Sequence, residues 1–498
     1  MTHMGAIDWW WGGDLLGRGL SIVDLALRLI MAVFVVMRRR PVPITLAWLV
    51  LVTAVPFVGA LLYVLVGESR LGARRVEEAQ RIVGEIEPVV VARWHEQGLT
   101  ARRPLAGGSE FEAIARDAMA LGGFPPLAGN TLELMADADE LLRRLAADID
   151  QARTHVHLLY YIWMEGGLAG MVYEALERAA QRGVDCRVLA DSVGSGRFLG
   201  GEWARRLGRA GVRVDGALPA SAMRALAARL DLRNHRKIGV IDGRIAYCGS
   251  QNLIDTSFHF KKRSRVGPWI DASVRVEGPA VQALAAVFLR DWALEDDQPV
   301  RLEPPYLTSL ERPARQAAVV QVVPTGPGPD VVAMREALLT TIYAARSELT
   351  MTTPYFVPDE ATLAALTAAA RRGVRVTIVL PRTSDSRLVA AASRSHFEEL
   401  LESGVTITRY RHGLLHAKLL AVDGKFSMIG SANIDARSFW LNFEVTLFVY
   451  DEAFAASLMA LQRTYMEGAE ELRLGAWRKR GRWARGVENV ARLFGPIL

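Results

Sequence analysis

Two apolar runs open the chain. The longer, Val42 to Val66, reads VPITLAWLVLVTAVPFVGALLYVLV and holds no charged residue. At about 1.5 Å rise per residue such a run crosses a hydrocarbon core of about 30 Å, and a bilayer helix tolerates breakers such as Pro56 and Gly59. A core helix rarely runs this far without a charge. The shorter run, Leu20 to Met37, carries Asp24 and Arg28, four residues apart and so on one helix face. A second spanning helix is expected there, with an interfacial or re-entrant helix as the alternative. Residues 1–67 therefore read as N-terminal membrane segments, with helices over about 20–37 and 42–66. Trp9, Trp10 and Trp11 have the character of interfacial anchors. The acidic, aromatic start MTHMGAIDWWWGGD does not read as a cleaved signal peptide. Arg38, Arg39 and Arg40 lie between the runs and Arg70, Arg74 and Arg75 beyond them, so charge gives no preferred orientation.

Beyond the runs the pattern changes. Residues 68–130 are polar and helix-prone, end in the loop signal GGFPPLAGN, and read as a connector. From 131 onward, β-rich apolar runs such as HVHLLYYIW, CRVLAD, KIGVID, VRVTIVLP and KLLAVD alternate with helical stretches of Ala, Leu, Arg and Glu. Continuous apolar strands imply an α/β fold with its sheet covered on both faces. LEPPYLTSLERPA, residues 302–314, is a linker between domains at 131–301 and 315–470. The two domains repeat. Ala-Ala-Gln-Arg-Gly-Val at 179–184 recurs as Ala-Ala-Arg-Arg-Gly-Val at 369–374, and Ala210-Gly211-Val212 matches Ser403-Gly404-Val405. A period near 180 residues is too long for a solenoid and indicates a duplicated domain. The tail, 471–498, is basic with interleaved Trp and apolar residues. It reads either as an interfacial helix on anionic lipid or as an ordinary amphipathic surface helix, as does the weaker stretch 218–230.

Composition supports a membrane-associated chain. Hydrophobic residues make up 51% and charged residues 23%, with a mean hydropathy of +0.14. Disorder, collagen and coiled coil are excluded. The two cysteines, Cys186 and Cys248, exclude a disulfide scaffold and a cysteine-built zinc site. The net charge of +6 suits an anionic partner, nucleic acid or an anionic membrane, without choosing between them.

The chemistry lies in one pattern written twice. His235-Arg-Lys237, Asp242 and Gly249-Ser250-Gln-Asn252 recur as His416-Ala-Lys418, Asp423 and Gly430-Ser431-Ala-Asn433, both obeying H-x-K-x4-D-x6-G-S-x-N. His and Lys two apart on a strand share a face. Asp-Gly marks the turn, and the small Gly and Ser let backbone N–H groups approach an anion. Asp242 and Asp423 are counted with the catalytic pattern, although each has the look of a turn residue. Two halves packed face to face would pair every group. That inventory suits a phosphodiester. Lysines, Asn side chains and amides hold its oxygens, one histidine attacks phosphorus, and the other protonates the leaving alkoxide and deprotonates the incoming hydroxyl. No metal or other cofactor is required, because the lysines supply the positive charge.

These residues resemble the phospholipase D superfamily, whose signature is the doubled H-x-K-x4-D pattern. The flanks Tyr161-Ile162-Trp163, Gly267-x-Trp269-x-Asp271, Thr353-Pro354-Tyr355-Phe356-Val357-Pro358 and Arg437-Ser438-x-Trp440-Leu441-Asn442-x-Glu444 narrow the resemblance to the bacterial cardiolipin synthase family. The resemblance implies two tandem phospholipase D-like domains, mixed sheets flanked by helices and related by a pseudo-twofold, anchored at the bacterial inner membrane by a multi-pass or hairpin segment. It implies phosphatidyl transfer between two phosphatidylglycerol molecules through a phosphohistidine, with glycerol released. His235 would be the nucleophile and His416 the acid/base. It further implies that Asp271 orients His416 and Glu444 orients His235. Phosphatidylglycerol and an anionic membrane are the expected partners; a homo-oligomer is compatible with the sequence.

Three rivals stand beside this reading. A hydrolytic phospholipase D would use the same groups with water as acceptor. A superfamily nuclease would use them on nucleic acid, which is not expected as a partner, because no long basic, aromatic-rich groove signal is present. A catalytically dead membrane scaffold is hard to reconcile with two intact motifs.

Overall fold

The duplicated pattern folds as a duplicated half-sheet. The computed structural model describes residues 15–38, 42–67, 73–101, 109–122, 124–164, 166–219, 229, 231–255, 266–296, 317–327 and 333–495. They form two units, one of residues 1–72 with 220–231 and one of residues 73–219 with 232–498. In the larger unit the first half supplies β1 (Leu127–Met135), β2 (His155–Tyr160), β3 (Asp185–Asp191), β4 (Arg213–Ala217), β5 (Arg233–Asn234), β6 (Ile238–Ile241), β7 (Ile245–Gly249), β8 (Trp269–Ile270) and β9 (Ser273–Glu277). The second supplies β10 (Ala318–Thr325), β11 (Glu348–Thr352), β12 (Arg375–Pro381), β13 (Thr406–Tyr410), β14 (Leu414–Leu415), β15 (Leu419–Val422), β16 (Phe426–Gly430), β17 (Asn442–Tyr450) and β18 (Glu470–Glu471).

The first half runs in the order β1-β9-β7-β6-β2-β3-β4, and the second repeats it as β10-β17-β16-β15-β11-β12-β13, with β18 added at the outer edge. β1 and β10 join antiparallel, Leu127 facing Val320, so one mixed sheet runs through both halves about an approximate two-fold axis. In each half the outer strands are parallel, β2-β3-β4 and β11-β12-β13, and the inner ones antiparallel.

Local chemistry sets the connections. Gly183 and Gly373, at matching places in the repeat, end their helices at φ +87° and +94°, a conformation that costs a Cβ-bearing residue. Asp137, Asp359 and Asp451 cap the helices Ala138–Asp150, Glu360–Arg371 and Glu452–Met466, each carboxylate accepting a backbone N–H three residues on. Helices Ala138–Asp150 and Ala169–Gln181 cover one face of the first half-sheet, and Ala333–Ala344 with Glu360–Arg371 cover the second. Helices Ala280–Ala293 and Glu452–Met466 close the other face in a shared core.

Residues 68–130 are more than a connector. The helix Ala73–Glu96 packs on Ala280–Ala293, with Trp94 buried and its indole N–H donating to Gln282 at 2.8 Å. The helix Ser109–Gly122 packs on Ala333–Ala344, burying Phe111 and Ile114. The expected linker 302–314 and most of 218–230 lie outside the described residues, as do Trp9–Trp11, Arg39, Arg40 and Arg70. In the tail, β18 pairs with β13, Trp477 is buried, and a helix covers Arg482–Arg492.

The N-terminal expectation is overturned. The apolar run 42–66 is broken. One helix spans Val42–Ala54, a second Pro56–Leu62, and Tyr63–Gly67 continues as a π-turn. Pro56 has no N–H to return to the preceding turn, and Val55 leaves helical geometry at φ −133° and ψ 72°. The Thr53 carbonyl near the break accepts from Arg28 Nη1 at 2.7 Å, while Arg28 Nε donates to Asp24 at 2.8 Å. The other helix, Leu15–Met37, carries Arg18, Asp24 and Arg28. Among the described residues no helix is long and apolar enough to cross a membrane. The spanning helices expected at about 20–37 and 42–66 are therefore withdrawn, together with multi-pass or hairpin anchoring in the bacterial inner membrane.

Candidate active site

Each motif histidine stands where its chain leaves its own half and pairs with the other. β5, just before His235, pairs with β17 of the second half, and the His235 N–H donates to the Phe443 carbonyl at 2.9 Å. β14, just before His416, pairs with β8 of the first half, and the His416 N–H donates to the Ile270 carbonyl at 2.7 Å. The strand that each histidine joins continues into a carboxylate. His235 Nδ1 thus stands 2.9 and 3.0 Å from the two oxygens of Glu444, and His416 Nδ1 stands 2.7 Å from Asp271. The partners are 209 and 145 residues apart in sequence.

Burial alone would push both carboxyls up, but the imidazole and ammonium groups beside them hold Glu444 and Asp271 below the usual carboxylate range. Both are therefore anionic, so each Nδ1 is the donor and Nε2 is left as the nitrogen available for chemistry. Burial depresses His235 to about 4 against the pull of Glu444, and it lowers His416 against Asp271. The carboxylates are themselves held. Ser250 Oγ donates to Asp271 at 2.6 Å, and Ser438 Oγ and Asn442 Nδ2 donate to Glu444 at 3.0 and 3.2 Å. Ser431 Oγ accepts the Val445 N–H at 2.9 Å, the counterpart of Ser250 accepting from Ala272 at 3.0 Å.

Lys237 and Lys418 are buried, and each ammonium donates to the carbonyl of its own histidine at 2.5 Å. The charges of the two halves act on one another: Lys418 lowers His235 and Lys237 lowers His416. Asn252 Oδ1 accepts the Ile162 N–H at 3.1 Å, whereas its buried Nδ2 has no hydrogen-bond partner among the described residues. Asn433 is buried, with its N–H donating to Ser438. Aromatic rings frame the imidazoles, Tyr161 at 4.9 Å from His235, and Trp269 at 4.4 Å and Tyr355 at 6.4 Å from His416.

Burial disfavours the ammonium form, lowering Lys237 to about 7 and Lys418 to about 8. Above those values the empty site loses the charge that would hold an anion. Below about 4, His235 takes up a proton and loses its lone pair. The expected kcat/KM profile is a bell whose acid limb lies near 4 and whose alkaline limb begins below the ordinary histidine value, where His416 loses the proton a leaving alkoxide needs, before the lysines lose their charge. A profile flat to strongly alkaline pH would contradict these assignments.

Asp242 and Asp423 are not brought to the imidazoles. Each sits at the far end of its strand, five residues or about 17 Å beyond the lysine, at φ +53° and +54°. Asp242 accepts the backbone N–H groups of Arg153, Thr154 and His155, and Asp423 those of Arg346, Ser347 and Glu348. Those bonds outweigh burial and keep both carboxyls low. Both residues fasten a hairpin to the start of the neighbouring strand, a structural task instead of the catalytic one expected.

The spacing of the motif gave no hint of a role for Arg236. Its fully buried guanidinium pairs with Asp291 and donates to the carbonyls of Glu444 and Thr325 at 2.9 Å each, tying the first motif to the second half. The second motif has Ala417 there. Arg236→Met strands the Asp291 charge and is expected to cost about 3–5 kcal/mol. Urea unfolding measures it, and a loss under about 1 kcal/mol, the size of an exposed pair, would contradict the assignment.

A site made of two crossed His–carboxylate pairs at the junction of two like half-sheets is that of a tandem phospholipase D-like protein. Comparison with known proteins narrows the class. The family model described as "Cardiolipin synthase, PLD-like domain" matches residues 145–292 and 338–463, and the model for the phospholipase D-nuclease N-terminal region matches 27–68. The chain is 39% identical over 488 residues to the cardiolipin synthase A of Salmonella paratyphi B and to that of Salmonella newport, covering 97% of this chain and 98% of each relative. The chain belongs to the cardiolipin synthase family. Among solved structures, a phosphatidylserine synthase from Haemophilus influenzae shares the fold, with a TM-score of 0.56 at 16% identity, over 77% of this chain and 97% of that one.

Proposed function

We propose that the crossed site joins two phosphatidylglycerol molecules into cardiolipin and releases glycerol, with His235 as nucleophile and His416 as acid/base. The observation that carries this reading is the pairing of each imidazole with a carboxylate of the other half. It fixes both tautomers, so that one Nε2 can attack while the other manages the proton. In the first step His235 Nε2 bonds to phosphorus and the bond from phosphorus to the glycerol oxygen breaks. Protonated His416 supplies the proton that makes the leaving group glycerol. In the second step neutral His416 takes the proton from a hydroxyl of the second phosphatidylglycerol. That oxygen bonds to phosphorus, and the bond to His235 breaks. Lys237, Lys418 and Asn252 hold the non-bridging oxygens and stabilise the charge that builds on them. An anionic phospholipid surface is the partner from which both lipids come.

The test is incubation of the purified protein with phosphatidylglycerol. Cardiolipin and glycerol are expected in equal amounts; phosphatidic acid in their place would show water to be the acceptor and overturn the transfer reading. Because lysines supply the cationic charge, EDTA is expected to leave turnover nearly unchanged. Loss on chelation that one divalent ion restores would contradict that account.

A further inference from the structure

The C-terminal helix Arg482–Arg492 is inside out. A surface helix ordinarily turns its apolar stripe to the core. Here the side facing the protein holds Ala491 and Glu488, which are buried. Glu488 accepts from Arg480 Nη1 at 2.6 and 2.7 Å and from Arg394 Nε at 2.9 Å. The apolar residues point away. Trp483 is 89% exposed, Val487 59%, Val490 57% and Phe494 44%; their spacing of four, three and four puts them on one face, and Leu493 beside them is 76% exposed. Around this stripe the chain is basic, with seven Lys or Arg and one acidic residue between 473 and 495. Lys479, Arg482 and Arg492 are exposed.

We propose that this outward face is a docking surface for anionic phospholipid bilayers. An apolar stripe flanked by cations is what an interfacial helix presents: the stripe enters the acyl boundary and the cations meet the headgroup charge. A protein partner would need acidic residues around an apolar groove, whereas an anionic bilayer supplies both elements at once. Position adds a second argument, which rests on the lipid reading of the site. Ala491 shares a small core with Val357, Ala391 and Ala392, and the helix lies along Arg387–Ser395. The Val357 N–H donates to the Ile434 carbonyl at 2.7 Å, one residue beyond Asn433, and Tyr355 stands beside His416. A bilayer seated on this helix is thus joined through two short packed steps to the rim of the site that receives its lipids.

Other exposed apolar residues, in the helices Leu15–Met37 and Val42–Ala54, mean that binding of the whole protein to vesicles does not report on this helix. The test therefore reads the face itself. Val487→Cys gives a single exposed thiol, because Cys186 and Cys248 are buried, and it carries an environment-sensitive fluorophore on the full chain. With vesicles of phosphatidylcholine and phosphatidylglycerol, the emission is expected to shift to the blue and to be quenched by spin labels on the acyl chains. With phosphatidylcholine alone it should stay as in buffer. Added Arg482→Gln and Arg492→Gln are expected to raise the half-saturating lipid concentration by about thirtyfold, from roughly 1 kcal/mol for each of the two cations lost near an anionic surface. Circular dichroism and turnover in detergent micelles should remain those of the parent. No shift on anionic vesicles, an equal shift on neutral ones, or a shift without lipid that grows with protein concentration would each overturn the proposal, the last by making the face an interface between copies. Turnover in micelles is scored separately. A probe that inserts while micellar turnover is absent would leave the docking surface standing and remove the transfer reading.

Discussion

Replacing His235 by alanine is expected to abolish cardiolipin formation, and so is replacing His416, each by at least about four orders of magnitude, because groups that act as one unit do not fail in part. Both rings are buried, so removal also opens a cavity. Thermal unfolding of each variant should nevertheless stay cooperative, since the strand pairings β5–β17 and β14–β8 are made by the backbone and survive. The two variants are separated by the leaving group. A phosphatidyl ester of p-nitrophenol leaves without a proton, so His416→Ala should recover much of the first step on it and His235→Ala none. Recovery by His235→Ala, or near-normal turnover of either variant on phosphatidylglycerol, would contradict a shared site with divided roles.

The second large effect falls on the carboxylates. Glu444→Gln keeps the shape but offers an amide N–H to His235 Nδ1. The ring then carries its proton on Nε2 and has no lone pair for phosphorus. A loss of about three to four orders of magnitude is expected, as when an amide replaces the carboxylate of a catalytic triad. Asp271→Asn should bring a comparable loss through His416. On the p-nitrophenyl ester, formation of the phosphohistidine should recover in Asp271→Asn and remain slow in Glu444→Gln. The reverse pattern would exchange the roles of the two histidines. Equal recovery would mean that neither carboxylate sets a tautomer.

What could be read from the sequence was whatever is local. The α/β alternation and the paired His and Lys follow from residues within one strand of each other, and the repeat follows from matching such local patterns across the chain. The crossing of β5 and β14 into the opposite half does not, since it joins residues 209 and 145 apart. Glu444 and Asp271 could be matched to their histidines only by resemblance, and nothing signalled that Ser438 and Asn442 hold Glu444. Asp242 and Asp423 misled because a shared spacing does not say which end of a strand a residue occupies. The helix Ala73–Glu96 hid its buried face, Ile82, Val90 and Trp94, among charges and a proline. The run 42–66 was apolar enough to cross a bilayer by composition, but Pro56 divides it and Arg28 takes up the Thr53 carbonyl near the break.

The most direct test of the account is to find the covalent intermediate. The protein is mixed with phosphatidylglycerol, quenched in alkali, where a phosphoramidate survives, and digested for mass spectrometry. The account predicts a phosphatidyl group on His235, absent from His416, that builds up in Asp271→Asn on the p-nitrophenyl ester and persists there when phosphatidylglycerol is added, whereas the unsubstituted protein passes it to phosphatidylglycerol. Turnover of phosphatidylglycerol with no adduct on His235, or with the adduct on His416, would contradict it.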